Sequence, residues 1–248
     1  MRNFIEEILS CYSGHDSVKI SKTPAGKDLF EETEKDDCSD TLCSQKEFHT
    51  VVAKLLYLCK RGQPYITVAV HHLCTRVKAP ATKDVRALER VLGYLQGTMH
   101  YVRVFDATPF DRVRAYVDAA FSSHPDGRGR NGAILMLGNS PVYTSSHKQV
   151  LTAKNSTIAE IVAATDEISA VEKLQGFLVN QGYTLEPPLL FQDNTSAILL
   201  MSEDGAKQTN KHVRARIGAM LEATRANDVI IQYVPTRLMV ADGLTKPL

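Results

Sequence analysis

The chain has 248 residues, enough for one large domain or two modest ones, each with its own core. Hydrophobic residues make up 44% and charged residues 23%, which excludes a disordered or fibrous chain. A net charge of +1 also excludes a strongly basic surface, so a polyanionic partner would have to be held by a local patch or by bound cations.

The cysteines, Cys11, Cys38, Cys43, Cys59 and Cys74, are odd in number and irregularly spaced, which argues against a disulfide framework and suits a reducing compartment. Cys38 and Cys43 with His49 lack a fourth zinc ligand at finger-like spacing. No apolar run approaches the roughly 20 residues of a membrane span. Met1-Arg2-Asn3-Phe4 lacks the apolar stretch of a signal peptide. The expectation is an intracellular protein, cytoplasmic or nuclear, neither secreted nor membrane-bound.

In chain order, Asn3 to Ser10 reads as a short helix. Residues 13–43, rich in Ser, Thr, Asp, Glu and Lys, read as an exposed connector with few buried contacts. Ser44-Gln45-Lys46-Glu47 is a capping box opening a helix through Phe48, Val51, Val52, Leu55, Leu58 and Cys59, stopped by Gly62. Pro64 starts another helix to about Val77. Thr82 caps a third, with Val85, Leu88, Leu92 and Leu95 on one face and Gly97 beyond its end.

The pattern changes near residue 101. Tyr101 to Phe105, Val113 to Val117, Ala133 to Leu137 and Val142 to Ser146 read as strands. Thr157 to Asn180 is a long amphipathic helix, with Thr157 and Glu160 matching a capping box and Gly182 past its end. Leu189-Leu190-Phe191 is a short strand, Ser196 to Met201 and Lys211 to Arg225 are helices, Val229 to Val234 is a strand, and Leu238 to Leu244 a final helical turn. A hairpin series feeding a βαβ crossover predicts a mixed α/β fold, a five-stranded mixed sheet with helices on both faces. The predicted division is a partly irregular segment over 1–43, a helical region over 44–110 and the α/β domain over 111–248.

Asp118 ends the apolar strand Tyr116-Val117-Asp118, and Asp193 ends Leu190-Phe191-Gln192-Asp193. If those strands are parallel neighbours, both carboxylates emerge at the edge where open α/β sheets put their ligands. Glu160, early in the long helix, and Asp242, in the last turn, can reach the same edge. Converging carboxylates repel one another unless cations neutralise them, and hard oxygen ligands select Mg²⁺ or Mn²⁺. Two such ions about 3.5–4 Å apart suit phosphodiester hydrolysis. All four carboxylates are expected within about 8 Å, with raised pKa values centred on Asp118. Each also has a structural reading: Glu160 as a cap, Asp193 as a turn that caps the next helix, Asp118 as a loop residue and Asp242-Gly243 as an ordinary turn.

Several segments together carry a resemblance. They are Leu55 to Leu58 (LLYL), Ala87 to Thr98 (ALERVLGYLQGT), Tyr116 to Ala119 (YVDA), Ser145 to Gln149 (SSHKQ), Ser156 to Glu160 (STIAE), Gln192 to Ile198 (QDNTSAI), Thr209 to His212 (TNKH) and Tyr233 to Leu248 (YVPTRLMVADGLTKPL). In this order they resemble the C-terminal part of the Pol polyprotein of copia-type retrotransposons. The resemblance implies an RNase H-like domain over roughly 112–248, preceded by the thumb and connection region of a reverse transcriptase and lacking the polymerase palm. It implies Asp118, Glu160, Asp193 and Asp242 as the metal-binding and catalytic set for two Mg²⁺ or Mn²⁺ ions. It also implies cleavage of the RNA strand of RNA–DNA hybrids, in company with the rest of the Pol polyprotein. Arg128 and Arg130 in the Gly-rich turn, and Lys207, Lys211, His212, Arg214 and Arg216 near a helix start, are the candidate nucleic-acid contacts. Phe121 stands where the family has Trp, and Gly218 or a neighbour replaces a second family histidine. The alternative reading is a catalytically decayed fragment acting only as a nucleic-acid-binding module.

Overall fold

The computed structural model describes residues 1–31, 43–106, 108–202 and 211–247. The chain divides into two compact units: Met1–Arg103 with Lys246–Leu248, and Val104–Thr245.

The first unit contains α1 (Arg2–Ser10), α2 (Gln45–Arg61), α3 (Thr67–Cys74) and α4 (Thr82–Thr98) around one apolar core. Phe48, Val51, Val52, Leu55 and Leu58 of α2 recur at helical spacing and are all buried against Leu88, Leu92 and Leu95 of α4 and Leu73 of α3. Ser44 caps α2 by accepting from the Glu47 amide at 3.3 Å. The reciprocal half of the box is diverted, because the Glu47 carboxylate accepts from the Ser13 amide. Pro64 opens a short 3₁₀ turn, Pro64–Ile66, rather than entering an α-helix directly. Thr82 is the first residue of α4 and not its cap; the Asp84 carboxylate accepts from the Ala81 amide at 2.8 Å. Gly97 lies inside α4 rather than beyond it.

The expected loose connector is partly corrected. Residues 18–31 have no regular structure beyond turns, yet Ala25, Leu29 and Phe30 are buried in the helical core. Arg90 donates to the Thr23 carbonyl and hydroxyl, and Lys83 to the carbonyls of Asp28 and Glu31. Composition missed this because three apolar residues and main-chain acceptors suffice to dock a short segment on a helix. Residues 32–42, with Cys38, lie outside the described residues.

Gly93 shows how close the docking is: a Cβ there would stand 2.1 Å from the Lys19 carbonyl oxygen. Helix propensity alone makes Gly→Ala worth about 1 kcal/mol in favour of the variant. Gly93→Ala is nevertheless expected to destabilise the protein by roughly 1–3 kcal/mol, because the added methyl must push residues 19–21 off α4. Urea unfolding midpoints check the sign.

The second unit holds β1 (Val113–Ala120), β2 (Arg130–Leu137), β3 (Ser140–Lys148), α5 (Ser156–Asn180), β4 (Leu189–Gln192), α6 (Thr195–Ser202), α7 (Lys211–Arg225) and β5 (Ile230–Tyr233). The five strands form one mixed sheet in the order β3-β2-β1-β4-β5. β1 pairs antiparallel with β2 and parallel with β4; β5 joins β4 in parallel. This is the RNase H-like mixed α/β architecture. The predicted strand at Tyr101–Phe105 does not form. Its alternation is present, but it lies in irregular chain with Tyr101, Val102, Val104 and Phe105 exposed, and a strand without a ladder partner gains no hydrogen bonds.

Pleating sends alternate β1 residues to opposite faces. Val117 and Ala119 pack with Ala159, Ala163 and Ala164 of α5, small residues that let helix and sheet approach closely. Met201, Val213 and Ile217 bring α6 and α7 to the same core. The opposite face carries Tyr116, Ile134 and Phe191, with the Tyr116 and Phe191 rings stacked at 4.6 Å. It packs against Val234, Met239 and Ala241. Among the described residues, the cover on this face is two 3₁₀ turns, Thr236–Leu238 and Val240–Leu244, the second lying where a final helical turn is expected. No helix among the described residues is long and apolar enough to cross a membrane.

Candidate metal centre

Asp118 lies on the same face of β1 as Tyr116, near the strand's C-terminal end, and is 4% exposed. Asp193 follows the last residue of β4, the parallel neighbour of β1. Glu160 projects from the second turn of α5. One carboxylate oxygen from each of Asp118, Glu160 and Asp193 can be chosen so that all lie within 4.8 Å of one another.

The capping reading of Glu160 is overturned. α5 begins at Ser156, and its cap is Asn155, whose Oδ1 accepts from the Ile158 amide at 2.9 Å. Thr157 therefore sits inside the helix, and Glu160, two residues past the box position held by Ile158, closes no capping box. Asn155→Ala is expected to cost about 1 kcal/mol, whereas Thr157→Ala should stay near zero. Thermal unfolding of the two variants distinguishes the caps.

Glu160 instead accepts from Gln192 Nε2 at 3.1 Å, and Gln192 Oε1 takes the Asp193 amide at 2.8 Å. Gln192 is fully buried and links two of the three carboxylates. Burial pushes the Glu160 carboxyl up to about 9, reinforced by the charges of Asp118 and Asp193 and opposed by hydrogen bonds from Gln192 and the Ala119 backbone. The sequence centres this rise on Asp118; Glu160, whose early-helix position is buried against the two strand-end carboxylates, carries a clear one. The Asp193 carboxylate also accepts from the Thr236 hydroxyl at 2.8 Å.

Asp242 is half-buried in the turn Val240–Leu244, and its carboxylate is not part of the three-residue group among the described residues. Its turn nevertheless reaches the site. Thr245 Oγ1 donates to Asp118 Oδ2 at 2.5 Å and lies 3.0 Å from the Asp242 carbonyl oxygen. Three carboxylates converge within 4.8 Å, and the Asp242 residue is joined to Asp118 through a threonine.

The nucleic-acid candidates separate by burial. Arg128 is exposed beside Asp126, 3.6 Å away. Arg130 is not in the turn but opens β2, is 3% exposed, and donates to Ser146 Oγ at 3.1 Å. Its guanidinium is pushed down to about 10 by burial. A side chain so enclosed is not placed to meet a phosphate backbone. Lys211, His212 and Arg214 lie on exposed positions of α7, whereas Arg216 is bound to Asp166 and Thr165 of α5. Lys207 falls outside the described residues. Gln192, Thr245 and Asn155 were the functional and capping residues that sequence reasoning passed over.

Three carboxylates gathered on an RNase H-like sheet define a class: a fold with an acidic centre at the C-terminal ends of two parallel strands. No family model matches the chain. It is 29% identical over 209 residues to the retrovirus-related Pol polyprotein from transposon RE1 of Arabidopsis thaliana, covering 84% of this chain and 14% of that protein. The Pol polyprotein from transposon TNT 1-94 of Nicotiana tabacum is 24% identical over 249 residues, covering 98% of this chain and 18% of that protein. Homologues of this chain are thus Pol polyproteins of copia-like transposons, and the chain spans less than a fifth of the length of these two relatives. Among solved structures, the foamy viral protease-reverse transcriptase in complex with RNA/DNA hybrid aligns with a TM-score of 0.51 at 10% identity, over 77% of this chain and 25% of that one. This likeness is one of fold.

Proposed function

We propose that this chain is a divalent-metal-dependent endonuclease hydrolysing the RNA strand of RNA–DNA hybrids, as part of a retrotransposon Pol polyprotein. The observation that carries the reading is the convergence of Asp118, Glu160 and Asp193 within 4.8 Å on this fold. The donor set fits two Mg²⁺ or Mn²⁺ ions: all ligands are hard carboxylate oxygens, and the mutual repulsion that lifts Glu160 is what a divalent ion would relieve. When bound, two such ions supply an activated water and stabilise the leaving oxygen.

The protein's own part is positional. Asp118 and Asp193 are fixed by parallel strand ends, and Glu160 is aimed at them by α5 and Gln192. Asp242 is proposed as the fourth member, reaching the centre from the turn that Thr245 ties to Asp118. Arg128, Lys211, His212 and Arg214 are proposed to touch the hybrid's backbone, whose 2′-hydroxyls would mark the RNA strand. The RNA/DNA hybrid bound by the foamy viral enzyme supports this substrate class.

The test is a substrate comparison: end-labelled RNA–DNA hybrid, double-stranded DNA and single-stranded RNA, each with Mg²⁺ and with chelator. Cleavage confined to the RNA strand of the hybrid and abolished by chelator is the expected result. Binding of hybrid without any cleavage would favour a decayed module.

A further inference from the structure

We propose that Thr245 is a positioning residue for the metal centre, with Gly132 as the opening that lets it reach Asp118. This inference rests on the nuclease reading above and adds to it a residue that is neither an acid nor a metal ligand.

Thr245 is fully buried, and its hydroxyl donates to Asp118 Oδ2 at 2.5 Å while lying 3.0 Å from the Asp242 carbonyl oxygen. A hydroxyl has one proton to give, and the short contact directs it to the carboxylate, leaving the carbonyl as the longer partner. The donated bond occupies one lone pair of Asp118 Oδ2 and fixes the rotation of the carboxylate plane. Ligand orientation by such outer hydrogen bonds is what sets a preorganised metal site apart from a loose acidic cluster.

The approach exists because of β2. Asp118 stands opposite Gly132 in the β1–β2 register. A Cβ on Gly132 would fall 2.7 Å from Thr245 Cγ2 and 3.0 Å from both the Ala241 carbonyl oxygen and Leu244 Cβ. The C-terminal turn therefore lies on bare backbone at the position opposite Asp118. Ser146 of β3 holds the same turn from a second side, its Oγ donating to the Leu244 carbonyl at 2.6 Å. Gly132, Ser146 and Thr245 together seat the turn, and only Thr245 passes a hydrogen bond to the acid.

The two halves of the threonine side chain can be tested apart by calorimetric Mn²⁺ titration of substrate-free protein. Thr245→Val keeps the packing and removes the donor; Mn²⁺ affinity is expected to fall about 10–100-fold. Thr245→Ser keeps the donor and is expected to bind within about threefold of the parent, rescuing what Val loses. Gly132→Ala, which changes no polar group, is expected to weaken Mn²⁺ binding at least tenfold by lifting the turn, and it serves as the readout if Thr245→Val does not fold. A Thr245→Val protein that binds Mn²⁺ as tightly as the parent overturns the inference while leaving the nuclease reading intact, and so does a Gly132→Ala protein with parental affinity. A parent with no Mn²⁺ binding that depends on Asp118 overturns both.

Discussion

Glu160→Gln is expected to make the metal-free protein more stable and, at the same time, to abolish hybrid cleavage. The group's pKa of about 9 lies far above the usual carboxylate range, so at pH 7 the folded protein either carries a proton on Glu160 or suffers the repulsion of three clustered charges. A raised folded-state pKa contributes stability that is fully present below the unfolded value of 4.5 and is lost as pH rises toward about 9. At pH 7 the deficit amounts to roughly 3 kcal/mol, and a neutral glutamine does not incur it. Gln also keeps the oxygen that accepts from Gln192, so the packing around position 160 survives. Urea unfolding in chelator at pH 5 and pH 8 should show the parent losing stability with rising pH and the variant lacking much of that slope. Equal slopes would mean that Glu160 ionises normally, contradicting the geometry that groups it with Asp118 and Asp193.

The second large effect concerns protons released on metal binding. With the Glu160 carboxyl pushed up to about 9 and a carboxylate needing to be ionised to ligate, Mg²⁺ or Mn²⁺ binding at pH 7 should expel about one proton per protein. Calorimetric titrations in buffers of different ionisation enthalpy measure this number directly. The apparent affinity should rise roughly tenfold per pH unit between pH 6 and pH 8, then level off toward about pH 9. Release near zero, with pH-independent affinity, would show that the ions bind elsewhere or that Glu160 is not a ligand.

Much of this site could be read from the chain before its fold was known. Asp118 and Asp193 stood out because an acid at the end of an apolar strand has no packing reason to be there, and the strands themselves were marked by β-branched and aromatic residues. Glu160 was found, but its alternative role was misjudged. Asn155 and Thr157 are both competent caps, and the glutamate three residues after Thr157 favoured the wrong one. Gln192, Gly132 and Thr245 were not legible at all. A glycine on β2 acquires meaning only when strand register sets it beside Asp118 and the chain's C-terminal turn lies over it. The same limit explains Tyr101–Phe105, where a strand-like alternation meets no partner, and residues 18–31, where a polar composition conceals three buried apolar anchors. Periodicity reports local structure; long-range register and docking are decided by contacts it does not contain.

Cleavage of hybrid by single charge-removing variants shows whether Asp118, Glu160 and Asp193 act as a hydrolytic metal centre. With Mg²⁺ and a hybrid labelled on its RNA strand, the parent is expected to release shortened RNA, while Asp118→Asn, Glu160→Gln and Asp193→Asn each lose about a thousandfold or more in rate, the scale of losing a component of a cooperating unit. Retained folding of the three variants, checked by far-ultraviolet circular dichroism, confines that loss to the centre. A correctly folded Glu160→Gln protein that cuts hybrid at the parental rate would contradict a catalytic role for this centre.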